Sequence, residues 1–135
     1  MTSKAVIDFS DDPLVKGPCA IVAYASRLNG KKPALDYIEN LGRLEWAKLA
    51  KSFIKMAQVG RIQNPEKFRK LGGKRGKIYE FKVHPKVRVL CFRLGKTWFL
   101  THGFNKETGD TPQRQIDRAD NIMNEHMKLL EHKKE

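Results

Sequence analysis

From Lys77 onward apolar positions recur at every second residue, and the pattern predicts three strands: Ile78 to His84, Lys86 to Leu94 and Thr97 to Phe104. Pro85 and Gly95-Lys96 supply tight connections, so an antiparallel meander is the economical arrangement. The middle segment is almost continuously apolar and belongs in the sheet interior. On the first strand Tyr79, Phe81 and Val83 share one face, while Glu80, Lys82 and His84 share the other.

Upstream the period changes. The apolar run Cys19 to Ser26 predicts a first strand, and Asn29-Gly30 marks a turn. Pro33 is placed to open a short helix reaching about Asn40. A longer helix is predicted from about Arg43 to Val59, where Leu44, Ala47, Ala50, Ile54 and Ala57 recur at helical spacing, flanked by Trp46, Leu49, Phe53 and Met56. Gly42 and Gly60 punctuate its ends. The two helices read as a hairpin with one apolar side, available to cover a sheet.

Asn105 to Asp110 is polar and predicts a loop. Thr111-Pro112 then suits an N-cap and first turn, with Ile116, Ala119, Met123 and Leu130 on the inner side of a terminal helix. Residues 1–18 have no clear period and are broken by Asp11-Asp12-Pro13 and Gly17-Pro18, which predicts a flexible or loosely docked extension. The rest, 19–135, reads as one domain of β-αα-βββ-α order: an α+β fold with a small antiparallel sheet packed on helices.

Charge changes the picture. The chain of 135 residues has a net charge of +12, and the stretch from Lys67 to Lys106 holds twelve basic residues against one acid, Glu80. That stretch also carries most of the predicted strands, so the charge is mounted on a sheet rather than on a solvated tail. Cations held together on a rigid surface favour a polyanionic partner, and nucleic acid is the first candidate. The run from Lys67 to Lys77, with Lys74, Arg75 and Lys77 among glycines, reads as an RNA-backbone contact loop. Its plainer reading is a solvated approach to a hairpin. The glycines lack the strand–glycine–helix context of a phosphate-binding loop.

Two cysteines, Cys19 and Cys91, lie in apolar runs and read as small buried hydrophobes in a reducing cytosol. Neither metal-ligand spacing nor a disulfide framework is present in the sequence. No apolar stretch approaches a membrane span, and a cytoplasmic location is expected.

The polar face of the first meander strand presents an acid, an amine and an imidazole: Glu80, Lys82 and His84. Arg88 projects near them past Pro85, with Lys86 in the turn. Lys106 and Thr108 enter from the loop after the last strand, and His102 stands near that strand's end. Such a group fits RNA cleavage without metal or other cofactor, in which a 2′-hydroxyl attacks the neighbouring phosphate. Arg88 suits phosphate because guanidinium is planar and always charged. Glu80, His84 and His102 could each be base or acid, with Glu80 and His102 the expected proton-transfer pair; Lys82 and Lys106 hold phosphates, and His84 and Lys86 are expected RNA contacts. Each has a duller reading: Glu80 as counter-ion, His84 as a silent turn residue, His102 as a structural strand-end residue.

The runs Lys77-Ile78-Tyr79-Glu80-Phe81-Lys82, Val87-Arg88-Val89-Leu90-Cys91-Phe92 and Leu100-Thr101-His102-Gly103-Phe104-Asn105-Lys106-Glu107-Thr108, followed by Thr111-Pro112, resemble the phage-derived, HigB-like branch of the RelE/ParE toxin superfamily. The likeness spans about Cys19 to Leu130 and includes the opening from Lys32 to Ile38. The resemblance implies the toxin of a bacterial or prophage toxin–antitoxin pair. It would be a metal-independent messenger-RNA endonuclease acting on the ribosome, neutralised by a helix-turn-helix antitoxin. By position Lys82 matches a strand lysine used for phosphate or acid–base work, Arg88 the arginine that grips the scissile phosphate, and Lys106 a basic residue after the last strand. Two departures stand out. The branch often carries arginine where Lys82 stands, and no tyrosine follows Tyr79 to stack on a base as in some RelE-like enzymes. Two other readings stay open: a ParE-like inhibitor of DNA gyrase, and a phage nucleic-acid-binding protein without catalysis.

Overall fold

A computed structural model describes residues 7–107 and 109–134. The elements run β1 (Val15–Lys16), β2 (Ile21–Tyr24), α1 (Pro33–Ile38), α2 (Arg43–Val59), β3 (Phe68–Gly72), β4 (Ile78–Val83), β5 (Val87–Leu94), β6 (Thr97–Asn105) and α3 (Gln113–Lys134). They form an α+β fold around one six-stranded sheet, ordered β1-β2-β6-β5-β4-β3. The β4-β5-β6 meander is antiparallel as expected, and β5 is buried on both faces over most of its length.

Two strands exceed the expectation. β3 pairs antiparallel with β4, placing Arg69 opposite Glu80. Its period is obscured by lysines and by Gly72-Gly73, so the segment expected as a contact loop is largely a sheet edge. β1 pairs antiparallel with β2, and β2 runs parallel to β6: the chain enters β3 opposite in direction to β2, and three antiparallel reversals through β4 and β5 bring β6 back parallel to it. From residue 7 the N-terminal segment expected as an extension packs on the body: Leu14 is buried and Ile7 and Phe9 lie against the core.

The sheet is covered on both sides. Leu49, Phe53 and Met56 of α2 and Ile38 of α1 pack on Val22, Phe81, Val89, Cys91 and Leu100. On the other face Ala119, Ile122 and Met123 of α3 pack on Ile78, Leu90 and Phe92. The α2 stripe is rotated from its expected position, with Leu44 74% exposed, because the larger side chains at Leu49, Phe53 and Met56 turn inward. Cys91 is buried as expected, but Cys19 is exposed. It sits in the turn before β2, where its N–H donates to the Ala57 carbonyl at 2.9 Å, and continuous burial starts only at Val22.

α3 begins at Gln113, and the Gln115 N–H donates to the Pro112 carbonyl at 3.0 Å. Thr111 therefore precedes the helix rather than capping it, and its hydroxyl donates to Glu80 Oε2. Among the described residues, no helix is long and apolar enough to cross a membrane.

Candidate nucleic-acid interface

The alternation of β4 turns Glu80 and Lys82 away from the α1–α2 hairpin, as expected. The face they occupy is open only in part, since α3 lies over the apolar residues at its other end. Glu80 is fully buried; Arg69 Nε donates to its Oε1 at 3.1 Å and the Thr111 hydroxyl to its Oε2. It is the counter-ion of β3 and the tether of the α3 approach, with both carboxylate oxygens engaged.

A bulge decides the place of His102. Leu90 pairs with His102 but Cys91 pairs with Leu100, leaving Thr101 as the extra residue. Without it Trp98, Leu100 and His102 would share the α1–α2 face; with it, His102 and Phe104 join the face of Lys82 and Arg88. The imidazole is buried there, its Nε2 2.9 Å from Gln115 Oε1 and its Nδ1 3.2 Å from Thr101 Oγ1. Burial lowers its pKa to about 4, so it is neutral at pH 7. Both ring nitrogens are engaged, Nε2 tying β6 to α3 and Nδ1 held within β6.

Lys82 and Arg88 are directly opposed on β4 and β5. Arg88 is only 1% exposed; its Nη1 donates to the Val87 carbonyl at 2.8 Å, its Nη2 reaches the Pro85 carbonyl at 3.4 Å, and its Nε has no partner. Among the described residues it has no ion-paired carboxylate. Lys82 is half-buried, with Nζ donating to the Pro65 carbonyl at 3.0 Å. Both pKa values are lowered, first by burial; for Lys82 the charges of Arg69 and Arg88 add to it, while for Arg88 the effect of Arg69 is opposed by Glu80.

The remaining residues divide by position. Lys106 is brought to the same end of the sheet, its N–H on the Lys86 carbonyl at 2.7 Å and its Nζ donating to the Gly109 carbonyl. Lys86 is exposed in the turn beside Arg88. His84 Nε2 lies 2.9 Å from Glu66 Oε1 and 3.0 Å from the Glu66 carbonyl oxygen. Lys74, Arg75 and Lys77 are exposed, but they occupy the β3–β4 turn at the far end of β4, about 16 Å along the strand from Lys82. That turn is held by Asp120 of α3, whose Oδ2 accepts the Lys74 N–H at 2.9 Å. Thr108 lies outside the described residues.

The sequence reading passed over one set of cations. A groove of about 600 Å³ between α2 and the end of β4 is lined by Lys48, Lys51, Lys55, Lys67, Lys82 and His84, with Glu66 among them. Lys48, Lys51 and Lys55 follow one helical face, a spacing legible in the sequence once the helix is assigned. Arg69 was also missed, because its strand was.

A family model described as phage derived protein Gp49-like (DUF891) matches residues 36–124. No curated protein matches the chain significantly.

Proposed function

The chain belongs to the phage-derived Gp49-like family, and from that premise we propose that it is the toxin of a prophage or bacterial toxin–antitoxin pair and cleaves messenger RNA. The family's association with RelE-like toxins supports this reading. The observation that carries it is Arg88: a buried guanidinium without an ion-paired carboxylate among the described residues, set directly against a second cation, Lys82. A phosphodiester supplies the missing negative charge between them.

In this reading Arg88 exchanges the carbonyls of Val87 and Pro85 for the oxygens of the scissile phosphate, and Lys106 adds positive charge from the end of β6. Lys82, with its pKa lowered by burial and by neighbouring cations, takes the proton of the 2′-hydroxyl. The 2′-oxygen bonds to phosphorus, the bond to the 5′-oxygen breaks, and His84 supplies the proton to that leaving oxygen. The products are a 2′,3′-cyclic phosphate and a 5′-hydroxyl. Glu80 and His102 hold the scaffold instead of moving protons. Ribosome-bound message is the proposed substrate, and a helix-turn-helix antitoxin the proposed inhibitor.

The test is cleavage of RNA by purified protein in EDTA, with and without ribosomes, followed by mapping of ends. Internal cuts bearing 2′,3′-cyclic phosphate that disappear with Lys82→Met are expected. Intact RNA in both settings, with double-strand DNA breaks on induction in cells, would overturn the nuclease in favour of a gyrase inhibitor.

A further inference from the structure

We propose that the α2 groove is the track for the RNA segment flanking the scissile phosphate, with Lys48, Lys51 and Lys55 gripping successive backbone phosphates. The inference rests on the nuclease reading, because it assumes that a phosphodiester sits at Lys82 and Arg88. A nucleotide held there is joined to neighbours, and the chain has to leave the sheet along some surface. Lys82 projects from the face opposite α2, but it stands at the end of β4 past the last β3 pair, Phe68–Phe81, and lines the groove together with Lys67 and the three α2 lysines, so a strand can pass round this edge.

Charge and shape both favour a nucleic-acid strand. Among the described residues none of Lys48, Lys51, Lys55 and Lys67 has a carboxylate partner, and the acid of the groove, Glu66, is engaged by His84. Lys48 and Lys51 are separated by about 4.5 Å along the helix axis, and Lys55 lies about 6 Å further. The three ammonium groups thus line a path rather than ring a point. Beneath them Ile62 and Val83, both buried, give the groove an apolar floor on which a ribose or base face can lie. An acidic protein segment would satisfy the lysines as well, but it would have no reason to continue into the Lys82–Arg88 position.

The measurement is fluorescence anisotropy with a short labelled 2′-O-methyl RNA of mixed sequence, which the proposed chemistry cannot cut. The triple variant K48Q/K51Q/K55Q should bind about tenfold or more weakly, and its dependence of log affinity on log salt should be shallower by about 2. A control, K16Q/K31Q/K128Q, removes the same charge from exposed positions elsewhere and should keep the wild-type slope. Circular dichroism checks that both variants are folded. Wild-type affinity and slope in the α2 variant overturn the groove while leaving the nuclease reading standing. An equal loss in both variants overturns it as well, because general charge then explains binding. If wild-type protein cuts RNA but the α2 variant loses only poly-glutamate binding, the groove takes an acidic protein segment. Absence of RNA binding and cutting in the wild type removes both readings together.

Discussion

Lys82 on β4 and Arg88 on β5 stand directly opposite one another in the antiparallel ladder, two cations where like charges repel. Neither is relieved by a carboxylate ion pair among the described residues. The fold tolerates this because the guanidinium is folded back onto two carbonyls of its own turn and the ammonium onto that of Pro65.

If the pair holds a phosphodiester as proposed, stability and activity should move in opposite directions. Lys82→Met is expected to leave the protein equally stable or to stabilise it by about 0.2–1 kcal/mol, the scale of a cross-strand pair. RNA cleavage should fall by about 10² or more, the scale of losing one transition-state group. Thermal melts and cleavage rates on the same preparations decide it; a variant both active and less stable contradicts the pairing.

Glu80 and Thr111 should behave as one unit. Glu80→Gln leaves the Arg69 guanidinium and the Thr111 hydroxyl competing for a neutral amide, at a cost of about 1–3 kcal/mol. Thr111→Val should cost about 1 kcal/mol, and the double variant less than the sum. Urea denaturation of the four proteins gives the coupling energy. A value near zero would mean that the hydroxyl contact is not made in solution.

His102 makes the fold sensitive to acid. Its folded pKa of about 4 lies below the ordinary 6.5, because burial disfavours the imidazolium. Between these values the unfolded chain binds more protons than the folded one, so stability rises with pH through this window and is lost as pH falls. At about 1.36 kcal/mol per unit the loss from pH 6.5 to 4 approaches about 3 kcal/mol. His102→Asn should be less stable at neutral pH yet show a flatter decline over the same range. Equal slopes in urea titrations of the two proteins would refute the assignment.

Gly103 is required by its neighbour. A Cβ at this position would lie 2.1 Å from Tyr37 Cδ2, and the tyrosine is pinned by its hydroxyl to Asn105 Oδ1 at 2.6 Å and to the Phe104 carbonyl at 3.2 Å. Gly103→Ala should therefore destabilise by about 3 kcal/mol. Adding Tyr37→Ala should recover part of that loss by making room. Melting temperatures across the cycle test it, and the absence of rescue would place the strain elsewhere.

Periodicity located the α1–α2 hairpin, the β4-β5-β6 meander and the terminal helix close to their observed bounds, because each carries a whole run of residues whose burial repeats at one period. It also put Glu80 and Lys82 on a shared face and Arg88 near them. β3 escaped because its residues Phe68-Arg69-Lys70-Leu71-Gly72 make a half-exposed edge; only the pairing with β4 makes it a strand. β1 is two residues long, below any period. The α2 lysines were visible as residues but not as a groove, since the opposite wall comes from β4 and the segment before β3.

By itself the sequence determined the elements of the meander, the hairpin and the terminal helix, the location of the positive charge and the face of β4 that bears it, all consequences of local alternation. Tertiary structure decided which of those polar groups are matched by an opposite charge and which are not. α3 and β3 close over Glu80, the Thr101 bulge carries His102 beneath α3, and strand pairing sets Lys82 against Arg88. Each depends on contacts between segments distant in the chain, where burial and the demand for hydrogen-bond partners, rather than residue type, assign the role.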